Sequence, residues 1–280
     1  GQTTTILSGR GTVVLNVLTL GTGTLSGGRM VLNKGSGIPF ITAGATLSNV
    51  EFKYSPHSAH IAVTPAHYPL LWLAGNQLNT NFTLSGDIHC NELLVASNGS
   101  GKTSRVDTAG QAITCNHLRV GSTSNRYGQL NLNNSVVTIH QNLTIHDTPT
   151  DINELNADNA TINVGGSWEN NDTFNAGTSH VTFNGTTNQN IKSSGDPFYD
   201  LTLENTGGSN QNSLILQDPL ALNNNLTITT GKLDTTLSNH SITVSGNFDQ
   251  SSPTSEVEAN ASVITVEGDL NVEGTLDSTN

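Results

Sequence analysis

The sequence Ile88-His-Cys-Asn-Glu-Leu-Leu-Val95 returns as Ile113-Thr-Cys-Asn-His-Leu-Arg-Val120 and then as Val137-Thr-Ile-His-Gln-Asn-Leu-Thr-Ile145. Each copy holds two alternating aliphatic positions, a bend of two or three polar residues, and a large apolar anchor. Further copies read Ile162-Asn-Val-Gly-Gly-Ser-Trp168, Leu220-Ala-Leu-Asn-Asn-Asn-Leu-Thr-Ile228, Ile242-Thr-Val-Ser-Gly-Asn-Phe248 and Ile264-Thr-Val-Glu-Gly-Asp-Leu-Asn-Val272. The anchors Leu93, Leu118, Leu143 and Trp168 lie 25 residues apart, and Leu226, Phe248 and Leu270 lie 22 apart. Such a period, with three short strands per repeat, fits one coil of a right-handed parallel β-helix, an all-β solenoid in which each anchor sits above its equivalent in the preceding coil.

The alternation follows from the pleat of a strand. Successive side chains point to opposite faces, so Ile162 and Val164 enter the bore while Asn163 meets solvent. At the bends, Gly165-Gly166, Gly246-Asn247 and Gly268-Asp269 are expected to take left-handed backbone conformations that β-branched residues resist. Tandem β-sandwiches also give short strands with polar turns, but they do not explain anchors of one type recurring in register. A helical face of period 3.6 is absent.

The whole chain, 1–280, reads as one β-helix domain. Residues 1–69 form less regular coils, with strands near Val13 to Leu20, Arg29 to Leu32 and Ala45 to Phe52, and a long loop is expected near 54–69. Residues 70–280 form the regular coils, with two less clean coils between Trp168 and Leu226 and a protruding loop at Ser193 to Pro197. The chain starts at Gly1 without Met, which reads as a mature or excised piece of a longer protein with adjoining domains.

Composition narrows the classes of partner. Only 11% of residues are charged, so Asn, Thr, Ser and Gly must supply solubility. The net charge of -12 is spread unevenly, because eight of the ten Lys and Arg residues precede residue 127. An acidic C-terminal half repels phosphate backbones, which argues against nucleic acid. No apolar run is long enough for a transmembrane helix.

The unit from Ile162 through Gly165-Gly166, Trp168 and Val181-Thr-Phe183 to Ile191, followed by Phe198-Tyr-Asp-Leu-Thr-Leu203, resembles repeat regions of large bacterial cell-surface and autotransporter-like secreted proteins. Leu222 to Leu233 looks like the next unit, and the resemblance covers about residues 88–280. It implies an extracellular or cell-surface structural or adhesive module, a possible glycan or host-surface partner, no cofactor and no catalytic residue to carry over.

Cys90 and Cys115 occupy one inward position in adjacent coils, about 4.8 Å apart by sheet spacing, which leaves a disulfide and two buried thiols both open. His140 aligns with them and His89 and His117 lie nearby, yet no spacing matches a metal signature, so no metal site is expected. Tyr54, His57, His60, His67 and Tyr68 fall where the pattern breaks and, with Trp72, form the candidate ligand-binding set; Trp72 alternates with Leu71 and Leu73, which leaves an outward and an inward face both open. Asn98-Gly-Ser-Gly-Lys102 lacks the spacing of a phosphate loop and reads as a turn. A polysaccharide-acting hydrolase or lyase is the alternative function; it needs paired carboxylates, and the acids show no aligned pair on successive coils.

Overall fold

Val, Ile, Thr and aromatic residues in alternation favour extended backbone, and in the computed structural model the described residues form 33 strands and no helix. Those residues are 11–16, 18–33, 40–42, 44–56, 60–148 and 152–278. The strands run parallel and stack as a β-solenoid of about 11 turns with about three strands per coil. The repeat predicts one domain; by internal contacts the chain groups into two compact units, Gly1–Val136 with Ile145–Asn156, and Val137–Thr144 with Ala157–Asn280.

In the first unit one inward row runs Val13, Met30, Phe52, Leu71, Leu93 and Leu118, each in register with the next. A second runs Leu15, Leu32, Tyr54, Leu73, Val95 and Val120. From Met30 and Leu32 onward both rows are buried. Another sheet aligns Ile61, Phe82, Val106, Leu130 and Leu155, also buried. The long loop expected near 54–69 is therefore corrected: this stretch carries the strand His60–Val63 and the start of the strand His67–Leu73. Ile61, Val63 and Tyr68 supply the buried apolar side chains that sustain the pattern there.

In the second unit Ile162 stacks on Val181, then Leu201, Leu226, Phe248 and Leu270. Trp168 belongs to a different row with Ile191 and Leu216, and Leu220 starts a third with Ile242 and Ile264. The sequence reading treated Trp168 and Leu226 as equivalent anchors, and the register corrects this. A strand, a polar bend and an apolar anchor occur at more than one corner of a coil, so the same motif recurs out of phase. Coil length varies accordingly, with 19 residues from Ile162 to Val181 and 25 from Leu201 to Leu226. Leu93, Leu118, Leu143, Trp168, Leu226 and Phe248 are buried, but Leu270 is 55% exposed because no described coil covers it.

The corners use two devices. After one strand of a coil the backbone turns through a left-handed residue: Ala109 and Asn133 in the first unit, Asp158, Gly177 and Asn260 in the second, with φ between 50° and 58°. The residue just before each is buried, and its carbonyl accepts from the N–H three residues on, as in Ser135 N to Leu132 O at 3.0 Å and Ser179 N to Ala176 O at 3.0 Å. At the other kind of corner, Gly165, Gly166, Gly246 and Gly268 are absent from the left-handed region, contrary to expectation. They are small because coils touch there. A Cβ on Gly165 would lie 2.6 Å from His140 O, and one on Gly268 would lie 2.6 Å from Gly246 O.

Amide side chains tie neighbouring coils together. Asn225 Oδ1 accepts from Asn247 N at 2.8 Å, and Asn247 Oδ1 accepts from Asp269 N at 2.9 Å. Gln189, fully buried, donates to Val164 O and Gly166 O and accepts from Gly185 N. Ser193 to Pro197 is likewise no protruding loop. The Asp218 carboxylate accepts from Ser193 N and Ser194 N, while Asp196 accepts from Phe174 N, pinning the turn to coils on both sides.

Candidate functional site

The residues proposed from sequence as one ligand-binding set are divided by the pleat. Tyr54 and Tyr68 face the bore and are 0% and 2% exposed, so they are not available as a recognition surface. Their hydroxyls lie 3.0 Å apart, and Tyr68 donates onward to Thr64 O at 2.7 Å. Tyr68 also packs edge-on to Phe52. Burial pushes the Tyr54 phenol up to about 12 and raises Tyr68 well above its ordinary value. The two tyrosines are a core feature with a satisfied polar tip.

The histidines separate from them. His60 is exposed on its own strand, in register with Asn81. His67, also exposed, stacks on His89 of the next coil with ring centroids 4.6 Å apart and planes 14° from parallel. His57 lies outside the described residues. Among the described residues no group of three or more His, Cys, Asp or Glu is placed to hold a metal ion.

Trp72 is on the outward side of its strand, between the inward Leu71 and Leu73, yet it is only 7% exposed. Its cover comes from residues the sequence reading did not single out. Lys53, directly beside it in the preceding coil, places Nζ 3.6 Å from the ring centroid. Arg126 places Cζ 4.8 Å from the same centroid. The indole Nε1 donates to Ala96 O at 2.8 Å, fixing the ring.

Three corner segments, 74–79, 96–102 and 121–126, build this region. Asn98 N donates to Gly75 O, Ser97 N to Tyr127 O, and Lys102 Nζ to Asn76 Oδ1 at 2.9 Å. Asn98 then joins two coils, accepting from Lys53 Nζ at 2.6 Å and donating to Ser55 Oγ at 3.2 Å. The Asn98 to Lys102 segment is thus a turn pinned to the neighbouring coils, and its Asn98 holds the lysine that covers Trp72. Burial, reinforced by Arg126 and Arg29 and only partly opposed by Glu51, lowers the Lys53 amine to about 8. The signal available in sequence was the outward position of Lys53 between inward Phe52 and Tyr54, together with the crowding of cations before residue 127.

Cys90 and Cys115 are direct partners in adjacent coils, as the repeat predicts, with Tyr68 next to Cys90 on the other side. Both are free thiols. A hydrogen bond to Cys115, added to burial, pushes the Cys90 thiol far up, which suits an inert pair.

The acids require a correction. Asp234, Glu258 and Asp277 stand in register on successive coils, and Glu256 aligns with Lys232 and Thr275. The unequal spacing of 24 and 19 residues hid this column from a search at constant period. Lys232 pairs with Glu258 at 2.5 Å, and that bond raises the amine's pKa.

Fold and site together define a β-solenoid whose coils carry neutral polar side chains outward and one loop-built cationic cluster over a tryptophan. No protein-family model, curated protein or solved structure matches the chain.

Proposed function

We propose that the chain is a non-enzymatic, extracellular structural or adhesive module of a bacterial surface or secreted protein, and that it engages a glycan or another component of a host or neighbouring cell. The observation that carries this reading is the contrast between regular coils and the three elaborated corners around Trp72. A spacer has no need of loops whose side chains bridge three coils. Binding residues are typically borne on loops held by a rigid scaffold, and stacked parallel strands provide that scaffold. The resemblance of residues 88–280 to repeats of large cell-surface and autotransporter-like proteins, together with the abundance of Asn, Thr and Ser, supports the extracellular setting.

A glycan array probed with the chain and with Trp72→Ala tests the proposal. The expected result is binding by the parent that Trp72→Ala weakens, with the coil signature in circular dichroism retained. Failure to bind any surface component across a broad panel overturns it.

A second reading, a polysaccharide hydrolase or lyase, draws on the column Asp234, Glu258 and Asp277, since paired carboxylates are the machinery such chemistry uses. Release of new reducing ends or unsaturated products from a polysaccharide, abolished by Glu258→Gln, would establish it in place of the first.

A further inference from the structure

The charge around Trp72 exceeds what the fold requires. Lys53 is 8% exposed, and its partners are a neutral amide oxygen and an aromatic face. Glu51, on the same strand, is engaged with Arg29 at 2.7 Å. The ion pairs among the described residues are Arg29 with Glu51, Arg119 with Glu92 and Lys232 with Glu258; neither Lys53 nor Arg126 belongs to one. Buried charges in proteins are ordinarily paired, because desolvating an ion costs several kcal/mol that only an opposite charge and good hydrogen bonds offset. Here two cations converge on one ring and repel each other, in a chain whose net charge is -12.

We propose that Lys53, Asn98 and Arg126, gathered over Trp72, form a binding site for an oxyanion, the carboxylate or sulfate group of an acidic saccharide. The inference rests on the adhesive reading and specifies its ligand class. The guanidinium of Arg126, partly exposed on a corner of the solenoid, offers a planar fork for two oxygens. Lys53 supplies a point charge at the same ring, already aimed by Asn98 and by the indole. An arriving anion cancels the repulsion between the two cations and favours the charged form of Lys53. The apolar ring beside both cations lowers the local dielectric and strengthens their contacts with an anion.

Isothermal titration of the full chain with an oligogalacturonate, a sulfated oligosaccharide, a neutral oligosaccharide and inorganic sulfate tests the site. At least one acidic saccharide should bind, more weakly as salt rises, and the neutral one should bind about tenfold less tightly or worse. Lys53→Met and Arg126→Gln should each lower affinity about tenfold or more. Lys53→Met should at the same time raise the thermal midpoint at neutral pH, since it removes a cation lacking a carboxylate partner; a purely structural cation over an aromatic ring predicts the opposite shift. The first two arms decide whether carboxylate or sulfate is the group taken. Equal binding of an acidic saccharide by the parent and both variants overturns this site and leaves the adhesive reading standing. So does binding of the neutral saccharide alone. Absence of binding in every arm and across a broad glycan panel overturns both.

Discussion

Exchanging glycine and alanine at two corners should move stability in opposite directions. Gly246 is not in the left-handed region, and a Cβ built on it would lie 2.6 Å from Asn225 Oδ1 and 2.7 Å from the carbonyl carbon of Asn224. Neither atom has room to retreat: Asn224 O accepts from Gly246 N at 2.9 Å, and Asn225 Oδ1 from Asn247 N at 2.8 Å. Gly246→Ala should therefore cost about 1–3 kcal/mol, the usual range for overpacking, and Gly246→Asn no less, because the clash belongs to the Cβ. Ala109 poses the reverse case, held at a φ of 52° by the Gln111 N to Thr108 O bond and by Asp107 accepting from its own N–H at 2.7 Å. Its left-handed backbone costs about 1–2 kcal/mol, of which the greater freedom of unfolded glycine takes back about 0.4–1, so Ala109→Gly should gain about 0.5–1 kcal/mol. Urea unfolding followed by far-ultraviolet circular dichroism measures all three variants. Were Gly246→Asn as stable as the parent, the corner would be left-handed as the sequence first suggested, and the close-approach argument would fail.

A double-mutant cycle checks the register. Leu201→Ala and Leu226→Ala, at directly paired positions, should couple by about 0.5–3 kcal/mol, whereas Trp168→Leu and Leu226→Ala, in different rows, should be additive. The buried phenol of Tyr54 makes stability pH-dependent in alkali: its proton leaves the unfolded chain near pH 10 and the folded chain near 12, so its contribution to stability should fall as pH rises from about 10 and be fully lost above about 12. Denaturation across that range should show a steeper slope in the parent than in Tyr54→Phe, where the buried Tyr68 phenol keeps its own share; identical slopes would place Tyr54 in contact with water. The raised thiol of Cys90 and the burial of Cys115 should make both cysteines slow to alkylate in the native protein and quick in urea. Rapid native labelling, read by intact mass, would contradict that environment.

Most of the solenoid is legible in the sequence because its cause is periodic. An aliphatic residue every second position, returning after roughly one coil, marks a row that only adjacent turns can cover. The pairing of Cys90 with Cys115 and of Leu93 with Leu118 follows directly. The errors arise where one local pattern serves two geometries. Strand, bend and anchor occur at different corners, so Trp168 was matched with Leu226 across a change of phase. The left-handed corner was overlooked although Ala109, Asn133, Asp158 and Gly177 recur after successive strands, because it is marked by one residue of variable identity. Near residue 54 an aromatic row hides among histidines and prolines, and the polar hydroxyls of Tyr54 and Tyr68 made core residues look like recognition groups. The Trp72 cluster was only half legible, since Lys53, Asn98 and Arg126 come from separate coils and meet through loops that carry no period.

The scarcity of charge follows from the same stacking. In a parallel solenoid each outward residue stands about 4.8 Å from its equivalents in the coils on either side, so a repeated charge would face its own sign along the whole row. Asparagine, serine and threonine avoid that repulsion and add hydrogen bonds between coils, as the side chains of Asn225 and Asn247 do by accepting from the backbone N–H of Asn247 and Asp269. The column Asp234, Glu258 and Asp277 breaks the rule and brings in Lys232 as a counterion. The cluster of Lys53 and Arg126 breaks it as well, without a carboxylate of its own. Among these departures, the unpaired cations are where the surface departs furthest from what stacking favours, and so where an anionic ligand has most to contribute.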